Sequence, residues 1–229
     1  MLDAFESLCT ATSAEWERRG DGALMRYAKA PVPAFNGVIV RGEGFAEELE
    51  SLVRPHDGVT AVDAPATVEE ARRLGLIETV EMPGMVATRE EFAPAPVEGE
   101  VADDDVATAL DLLTASFGSP REWFDELYTP VVLERAGANA YVLRVGGRPV
   151  ATAVSVRTTD ALGIFNVGTP AAERGRGYGG AITSHAVERG FAEGAAFAYL
   201  QSSELGYSVY ERLGFEHVCT YTLSFAPPH

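Results

Sequence analysis

Arg174-Gly-Arg-Gly-Tyr-Gly179 runs without a break into the helix-compatible stretch Gly180–Arg189. Glycines tolerate φ > 0 and leave main-chain N–H groups uncovered, so a short glycine-rich turn can curl its amides around an anion. A helix that follows adds the free N–H groups and positive dipole end of its first turn. Arg174 and Arg176 bring charge and forked donors to the same turn. Together these parts predict a pyrophosphate cradle. Just upstream, Ala161-Leu-Gly-Ile-Phe-Asn-Val-Gly168 is a short apolar run stopped by Thr169-Pro170 and reads as a strand.

Two nucleotide-loop readings compete with this one. A Walker loop ends in Gly-Lys-Ser/Thr, and no lysine stands here. Gly175-Arg-Gly-Tyr-Gly-Gly180 fits the dinucleotide pattern Gly-x-Gly-x-x-Gly literally. However, the polar stretch Pro170–Gly175 separates strand from glycines, whereas the dinucleotide turn is tight. About 20 residues on, where that fold needs an acidic residue, stands Phe197-Ala-Tyr-Leu-Gln201.

Arg174-Gly-Arg-Gly-Tyr-Gly179 matches the Arg/Gln-x-x-Gly-x-Gly/Ala signature of the GNAT superfamily of N-acetyltransferases, in which this turn holds the pyrophosphate of acetyl-CoA. Downstream, Tyr199-Leu-Gln-Ser-Ser-Glu-Leu-Gly-Tyr-Ser-Val-Tyr-Glu-Arg-Leu-Gly-Phe215 resembles the next strand of that family, its following helix and its Tyr-x-x-Leu-Gly-Phe ending. The resemblance covers roughly residues 100–229. It implies an α/β (α+β) fold, a central mixed, mostly antiparallel sheet flanked by helices. It also implies transfer of an acetyl group from acetyl-CoA, by direct attack in a ternary complex, to a primary amine of a small molecule or peptide.

The same resemblance assigns expected roles. The main chain of Asn166, Val167 and Gly168 would meet the pantetheine arm and polarise the thioester carbonyl. Arg174, Gly175, Arg176, Gly177, Tyr178 and Gly179 would take the pyrophosphate. Tyr210 would offer its hydroxyl to the sulfur of coenzyme A, since a phenol can donate a proton or hydrogen bond to a departing thiolate. Tyr207, one turn earlier on the same face, is its understudy and, like Ser203, a cofactor-binding candidate. Ser202 and Ser203 at a strand-to-helix junction also fit a helix cap, the better reading of the two. Trp123, Phe124 and Tyr128 are the acceptor-binding candidates; core packing at helical spacing is the competing reading. Glu204, Asp125, Glu126, His185 and His217 are the titratable candidates for a general base, and none is assigned. A non-catalytic acetyl-CoA sensor is the alternative to an enzyme.

Composition bounds the rest. The chain has 229 residues, 46% of them hydrophobic, enough to bury a core. Its net charge is −16, shared between residues 1–99 (9 basic, 18 acidic) and 100–229 (9 basic, 16 acidic). A nucleic-acid partner is not expected, because a phosphate-binding face needs clustered basic charge. The acidity reads as solubility, or as a rim that attracts a cationic amine. No unbroken apolar run reaches membrane-spanning length, so no membrane partner is expected. Met1-Leu-Asp-Ala-Phe-Glu6 has neither the basic nor the apolar region of a secretory signal. Cys9 and Cys219 are the only cysteines and no metal-ligand spacing occurs, so the expectation is a cytoplasmic protein without metal. A homodimer is left open.

Phe92-Ala-Pro-Ala-Pro-Val-Glu-Gly99 reads as a linker dividing residues 1–91 from 100–229. Asp103-Asp-Asp105 then suits a helix start, and Val106–Phe117 carries a helical apolar stripe. Pro120–Tyr128 reads as a short helix ended by Pro130, followed by strands at Ala140–Val145 and Pro149–Val156 around a Gly146-Gly147 turn. Beyond the cradle helix the reading is strand Ala196–Ser202, helix Leu205–Leu213 and strand His217–Phe225. The first half echoes this plan: Arg72-Arg-Leu-Gly-Leu-Ile-Glu-Thr-Val-Glu81 parallels Glu211-Arg-Leu-Gly-Phe-Glu-His-Val-Cys-Thr220, and Asn36-Gly-Val-Ile-Val40 is set against Asn166-Val-Gly-Thr169. Residues 1–91 are thus expected to be a degenerate copy or an unrelated α+β unit that packs beside the active domain and walls its acceptor cleft. In the copy, Arg41-Gly-Glu-Gly-Phe45 puts a carboxylate where phosphate would sit, an unfavourable pairing of like charges.

Overall fold

The computed structural model describes residues 1–30, 32–42, 46–103 and 105–227. The first half contributes α1 (Leu2–Ala11), β1 (Glu15–Arg19), β2 (Gly22–Arg26), β3 (Asn36–Arg41), α2 (Leu49–Leu52), β4 (Gly58–Val62), α3 (Pro65–Arg73) and β5 (Glu78–Thr88). The second contributes β6 (Glu100–Asp103), α4 (Val106–Phe117), α5 (Glu122–Asp125), α6 (Pro130–Ala136), β7 (Ala138–Val145), β8 (Arg148–Arg157), β9 (Ala161–Gly168), α7 (Tyr178–Ala192), β10 (Phe197–Gln201), α8 (Glu204–Arg212) and β11 (Glu216–Phe225).

All these strands join one sheet, in the order β1-β2-β3-β4-β11-β5-β10-β9-β8-β7-β6. Only β3·β4 and β9·β10 are parallel; every other pair is antiparallel. Read outward from the β5·β11 pair, the order is nearly palindromic, and each half sends its last strand across to the other. Thus β5 pairs with β10, while β11 pairs with β4. The exits match too. Asp63 N–H donates to Thr220 O at 3.1 Å after β4, and Ser202 N–H to Pro83 O at 2.8 Å after β10. The paired sequence segments around Gly75 and Gly214 occupy corresponding places. Each glycine follows a helix with positive φ (89° and 86°) and turns the chain into an exchanged strand. The asparagine echo does not correspond in position: Asn36 opens β3, whereas Asn166 lies near the end of β9. Of the compared turn Arg41–Phe45, residues 43–45 lie outside the described residues.

Local chemistry explains most elements. Asp105 caps α4 by accepting from Thr108 N–H at 3.3 Å, and Gly118 ends it at φ 65°. The acidic run begins earlier than expected as part of β6, which pairs with β7 through Asp103 and Tyr141. Pro130 starts a helix rather than only ending one. It occupies the first turn of α6, where its missing N–H costs nothing, and Thr129 Oγ1 accepts from Val132 N–H at 3.2 Å. The 92–99 stretch carries no regular structure but is pinned to its surroundings. Ala93 N–H donates to Leu213 O at 2.9 Å, Ala95 N–H to Ser184 Oγ at 2.9 Å, and the Phe92 ring meets Phe191 and Phe215 edge-on.

The helices lie on both faces. One core sets α7 and α8 (Ile182, Val187, Phe191, Tyr210) against β8, β9 and β10. The other joins α1 of the first half (Ala4, Leu8) to α4–α6 of the second (Leu113, Leu127, Leu133), so the two halves share a single apolar layer. Close approach of α7 to the sheet depends on Gly190, since a Cβ there would overlap the Leu162 side chain. Gly190→Ala is expected to cost about 1–3 kcal/mol of stability, as overpacking does. Chemical denaturation would check this, and an unchanged midpoint would contradict it.

Candidate active site

The sheet opens at one place. Strands β9 and β10 pair in parallel from Ala161↔Phe197 to Ile164↔Leu200, after which Phe165–Gly168 continues alongside β8 alone. Between Phe165↔Val154 and Gly168↔Thr152, β9 takes one residue more than β8, a β-bulge at Asn166-Val167. Asn166 sits there at φ 49°, a left-handed conformation few non-glycine residues adopt. The corresponding seam of the first half stays shut: β3 and β4 pair through Arg41↔Val62, and Gly42 N–H donates to Val62 O at 3.3 Å.

Beyond Gly168 the chain passes Pro170 and one tight turn, Ala171–Glu173, into the glycines. Gly175 and Gly177 have φ 76° and 81°, and a Cβ on either would meet nothing within 4 Å. Gly177 is the N-cap of α7 and its carbonyl accepts from Ala181 N–H at 3.0 Å, yet no side chain caps the helix. Among the described residues, none accepts a hydrogen bond from the N–H groups of residues 175–180. Six amides at the positive end of a 15-residue helix thus have no acceptor among the described residues; residues 175–177 are exposed, Tyr178 and Gly179 half-buried and Gly180 buried. A Cβ on Gly180 would lie 3.4 Å from Val209 on α8 and 3.7 Å from Ala95, ordinary contact distances that seat the turn against its neighbours.

The two arginines differ in their tasks. Arg174 is a brace: its Nε donates to Thr169 O at 3.0 Å and its Nη2 to Ser116 O at 2.9 Å, tying the turn to the ends of β9 and α4. Arg176 is half-exposed to solvent and pairs with Glu173 at 3.1 Å. Glu173 also pairs with Arg148, at the start of β8, at 3.2 Å. Arg148 is a third cation of this corner that the sequence reading missed. Only the fold brings the β7–β8 turn beside the cradle.

Helix α8 starts at the end of β10. Ser203 Oγ accepts from Gly206 N–H at 3.3 Å, so the capping reading describes what its side chain does, and buried Ser202 donates to Ser203 O at 2.7 Å. Helical side chains lean toward the N-terminus. Tyr210 accordingly lies over Gly206, where a Cβ would stand 2.8 Å from its Cε2 and 3.3–3.5 Å from the Ser202 and Ser203 hydroxyls. Tyr210 is 9% exposed, its ring meets Phe215 edge-on at 6.0 Å, and its hydroxyl has no partner among the described residues. Burial pushes its pKa up to about 12, which keeps it a proton-bearing phenol at neutral pH. Tyr207 is half-buried one turn earlier, its ring edge-on to His217 at 6.4 Å. Gly206 is a further site residue the sequence reading missed; a glycine inside a helix was its visible signal. Gly206→Ala is expected to displace the Tyr210 ring and lower kcat about tenfold or more. Steady-state kinetics would test that, and wild-type kcat would argue against the stacking.

On the opposite face, the aromatics separate. Phe124 is a core residue, 4% exposed and tilted against Phe117, so core packing, not a pocket wall, describes it. Tyr128 is equally buried, but Asn166 Nδ2 donates to its hydroxyl, joining it to the bulge. Trp123 is half-buried at the rim of the same cluster. The first half contributes here: α1 packs on α6, the Phe5 ring meets Phe165 at 5.7 Å, and Gln201 Nε2 lies 2.9 Å from Met1 Sδ.

The titratable candidates scatter. Glu126 accepts from Ser13 Oγ at 2.6 Å and from Lys29 N–H at 3.3 Å, a tie between the halves. Asp125 pairs with Arg121 at 3.3 Å. His185 lies beside Asp103 at 3.4 Å under Tyr141, and His217 Nε2 is 2.8 Å from Cys219 O. Glu204 is exposed in the first turn of α8. It stands nearest in sequence to the opening.

Residues 100–218, more than half of the chain, match the acetyltransferase (GNAT) domain. The chain belongs to that family. Among solved structures, a GCN5-related N-acetyltransferase from Kribbella flavida shares 16% identity over 100% of this chain and 95% of its own, with a TM-score of 0.70. A GCN5-related N-acetyltransferase-like protein from Streptococcus suis shares 14% identity over 98% and 92%, with a TM-score of 0.61. These likenesses are of fold, and they extend through the first half of the GNAT chain as well as the second. No curated protein matches it in sequence. No helix among the described residues is long and apolar enough to cross a membrane.

Proposed function

We propose that this GNAT protein is an acetyl-CoA-dependent N-acetyltransferase acting on a primary amine of a small molecule or peptide. One observation carries the reading: the six unbonded amides of residues 175–180 lie directly beyond the only opened parallel seam of the sheet among the described residues. A diphosphate satisfies those donors, and a pantetheine chain, which hydrogen-bonds like a strand, fits along the freed edge of β9.

Acetyl-CoA supplies an acetyl thioester; the chain supplies position and charge. The amides of Gly175–Gly180 and the guanidinium of Arg176 bind the diphosphate, while Arg174 holds the turn. The main chain at Asn166–Gly168 aligns the thioester and offers N–H where negative charge develops on its carbonyl oxygen. Tyr210, a neutral phenol, donates to the departing sulfur. Held by its stacking on Gly206, it meets a reacting atom without reorganising. No single side chain is assigned as base; the amine proton leaves through water or Glu204.

For residues 1–91, the nearly palindromic sheet supports a degenerate copy whose closed β3·β4 seam admits no pantetheine. Its α1, with Phe5 against Phe165, forms the acceptor-side wall. Residues 100–229 are then the catalytic unit, although β5 of the first half completes its sheet.

Thiol release from acetyl-CoA in the presence of a panel of amines tests the activity. Amine-dependent release is expected. Stoichiometric binding of coenzyme A with no release for any amine class would instead make the protein a sensor.

A further inference from the structure

We propose that Tyr128 is a positioning residue that holds the β9 bulge in shape through Asn166, rather than a contact for the acceptor. The cofactor-binding role of that bulge rests on the acetyl-CoA reading above. The starting point is the backbone. Asn166 adopts φ 49° within a strand, near its end, where extended conformation is the rule. Asparagine tolerates this region better than most residues but does not demand it. Something outside the strand has to select it.

The Asn166 side chain donates to the Tyr128 hydroxyl. Tyr128 is the rigid member of the pair. It is 4% exposed, its N–H donates to Phe124 O at 3.0 Å, and it directly precedes Thr129, the cap of α6. It belongs to the same buried core cluster as Leu127, Val132 and Leu133. Packing therefore fixes the phenol, and the hydrogen bond transmits that position to Asn166. Burial raises the Tyr128 pKa, so the acceptor oxygen belongs to a neutral hydroxyl throughout the working range of pH.

The bulge then has a geometric consequence. It takes Val167 and Gly168 out of regular alternation with β8, in the segment that has just parted from β10. The first half serves as an internal control. Strand β3 pairs with β2 without a register shift, and β3 and β4 remain joined to their ends.

Two measurements on the full chain test this. In amide hydrogen exchange without ligand, Tyr128→Phe is expected to speed exchange about tenfold in the peptide spanning residues 164–170. In calorimetric titration with acetyl-CoA, Tyr128→Phe is expected to weaken binding by about the same factor. Asn166→Gly sets a separate baseline, because glycine reaches φ > 0 without help. Adding Tyr128→Phe to that variant is expected to change affinity less than about twofold. A full tenfold loss in the glycine background would show that the hydroxyl acts directly, and unchanged exchange in Tyr128→Phe would mean it clamps nothing; either overturns the proposal. A wild-type chain that ignores acetyl-CoA but shows the exchange difference would overturn the cofactor reading alone.

Discussion

Gly177→Glu is expected to abolish acetyl-CoA binding while the chain still folds. Gly177 sits at φ 81° at the head of α7, so any side chain there meets left-handed strain of about 1–2 kcal/mol. The protein itself has room, since a Cβ meets no atom within 4 Å. The expected loss of melting temperature is therefore moderate, about 2–8 °C for a chain of this size. Binding suffers more. A carboxylate placed about 4 Å from a phosphate repels it by about 4 kcal/mol at the effective dielectric of a protein surface. That corresponds to a loss on the order of a thousandfold in affinity. Gly177→Ala separates the two effects, because it introduces the strain without the charge. Isothermal titration with coenzyme A measures both. Retained affinity in Gly177→Glu would remove the diphosphate from this turn and with it the catalytic reading.

Tyr210→Phe is expected to lower kcat about a hundredfold or more, within the range for loss of a general acid, and to change the KM for acetyl-CoA less than about threefold. The ring and its contacts with Gly206 and Phe215 remain, and the hydroxyl that is lost had no partner among the described residues. Stability should thus barely move. The sign of the pH dependence follows from the same burial. The acid form acts, its fraction falls only as pH rises through about 12, and so kcat should show no alkaline limb from this group below about pH 11. Unchanged turnover in the variant would make Tyr210 structural, leaving protonation of the sulfur to water or to Tyr207.

Much of this was written in local patterns. The cradle glycines, the cap at Ser203 and the long helix after the turn depend on backbone freedom and nearest neighbours, which a linear reading can follow. Pro130 shows how such a reading errs. Proline excludes the interior of a helix equally well from its first turn and from beyond its end, and only the Thr129 cap distinguishes the two. Phe124 shows a second kind of error. An aromatic at helical spacing faces core or cleft depending on what packs above it, here α4 and Phe117. The pairing of Arg148 with Glu173 could not be read at all, because the fold alone brings the β7–β8 turn beside the local Glu173–Arg176 pair.

The sequence by itself determined the family and the order of strand, turn and helix around the glycine-rich turn, and it nominated the groups proposed to hold a diphosphate and meet a thiolate. Tertiary structure alone decided that the halves exchange their last strands, that the β9·β10 seam opens while β3·β4 stays closed, and that a buried phenol reaches the bulge. The reason is range. Turn and cap preferences act over four or five residues, whereas strand exchange and seam opening depend on which distant segment wins the competition for each edge's hydrogen bonds and for the apolar face beneath it.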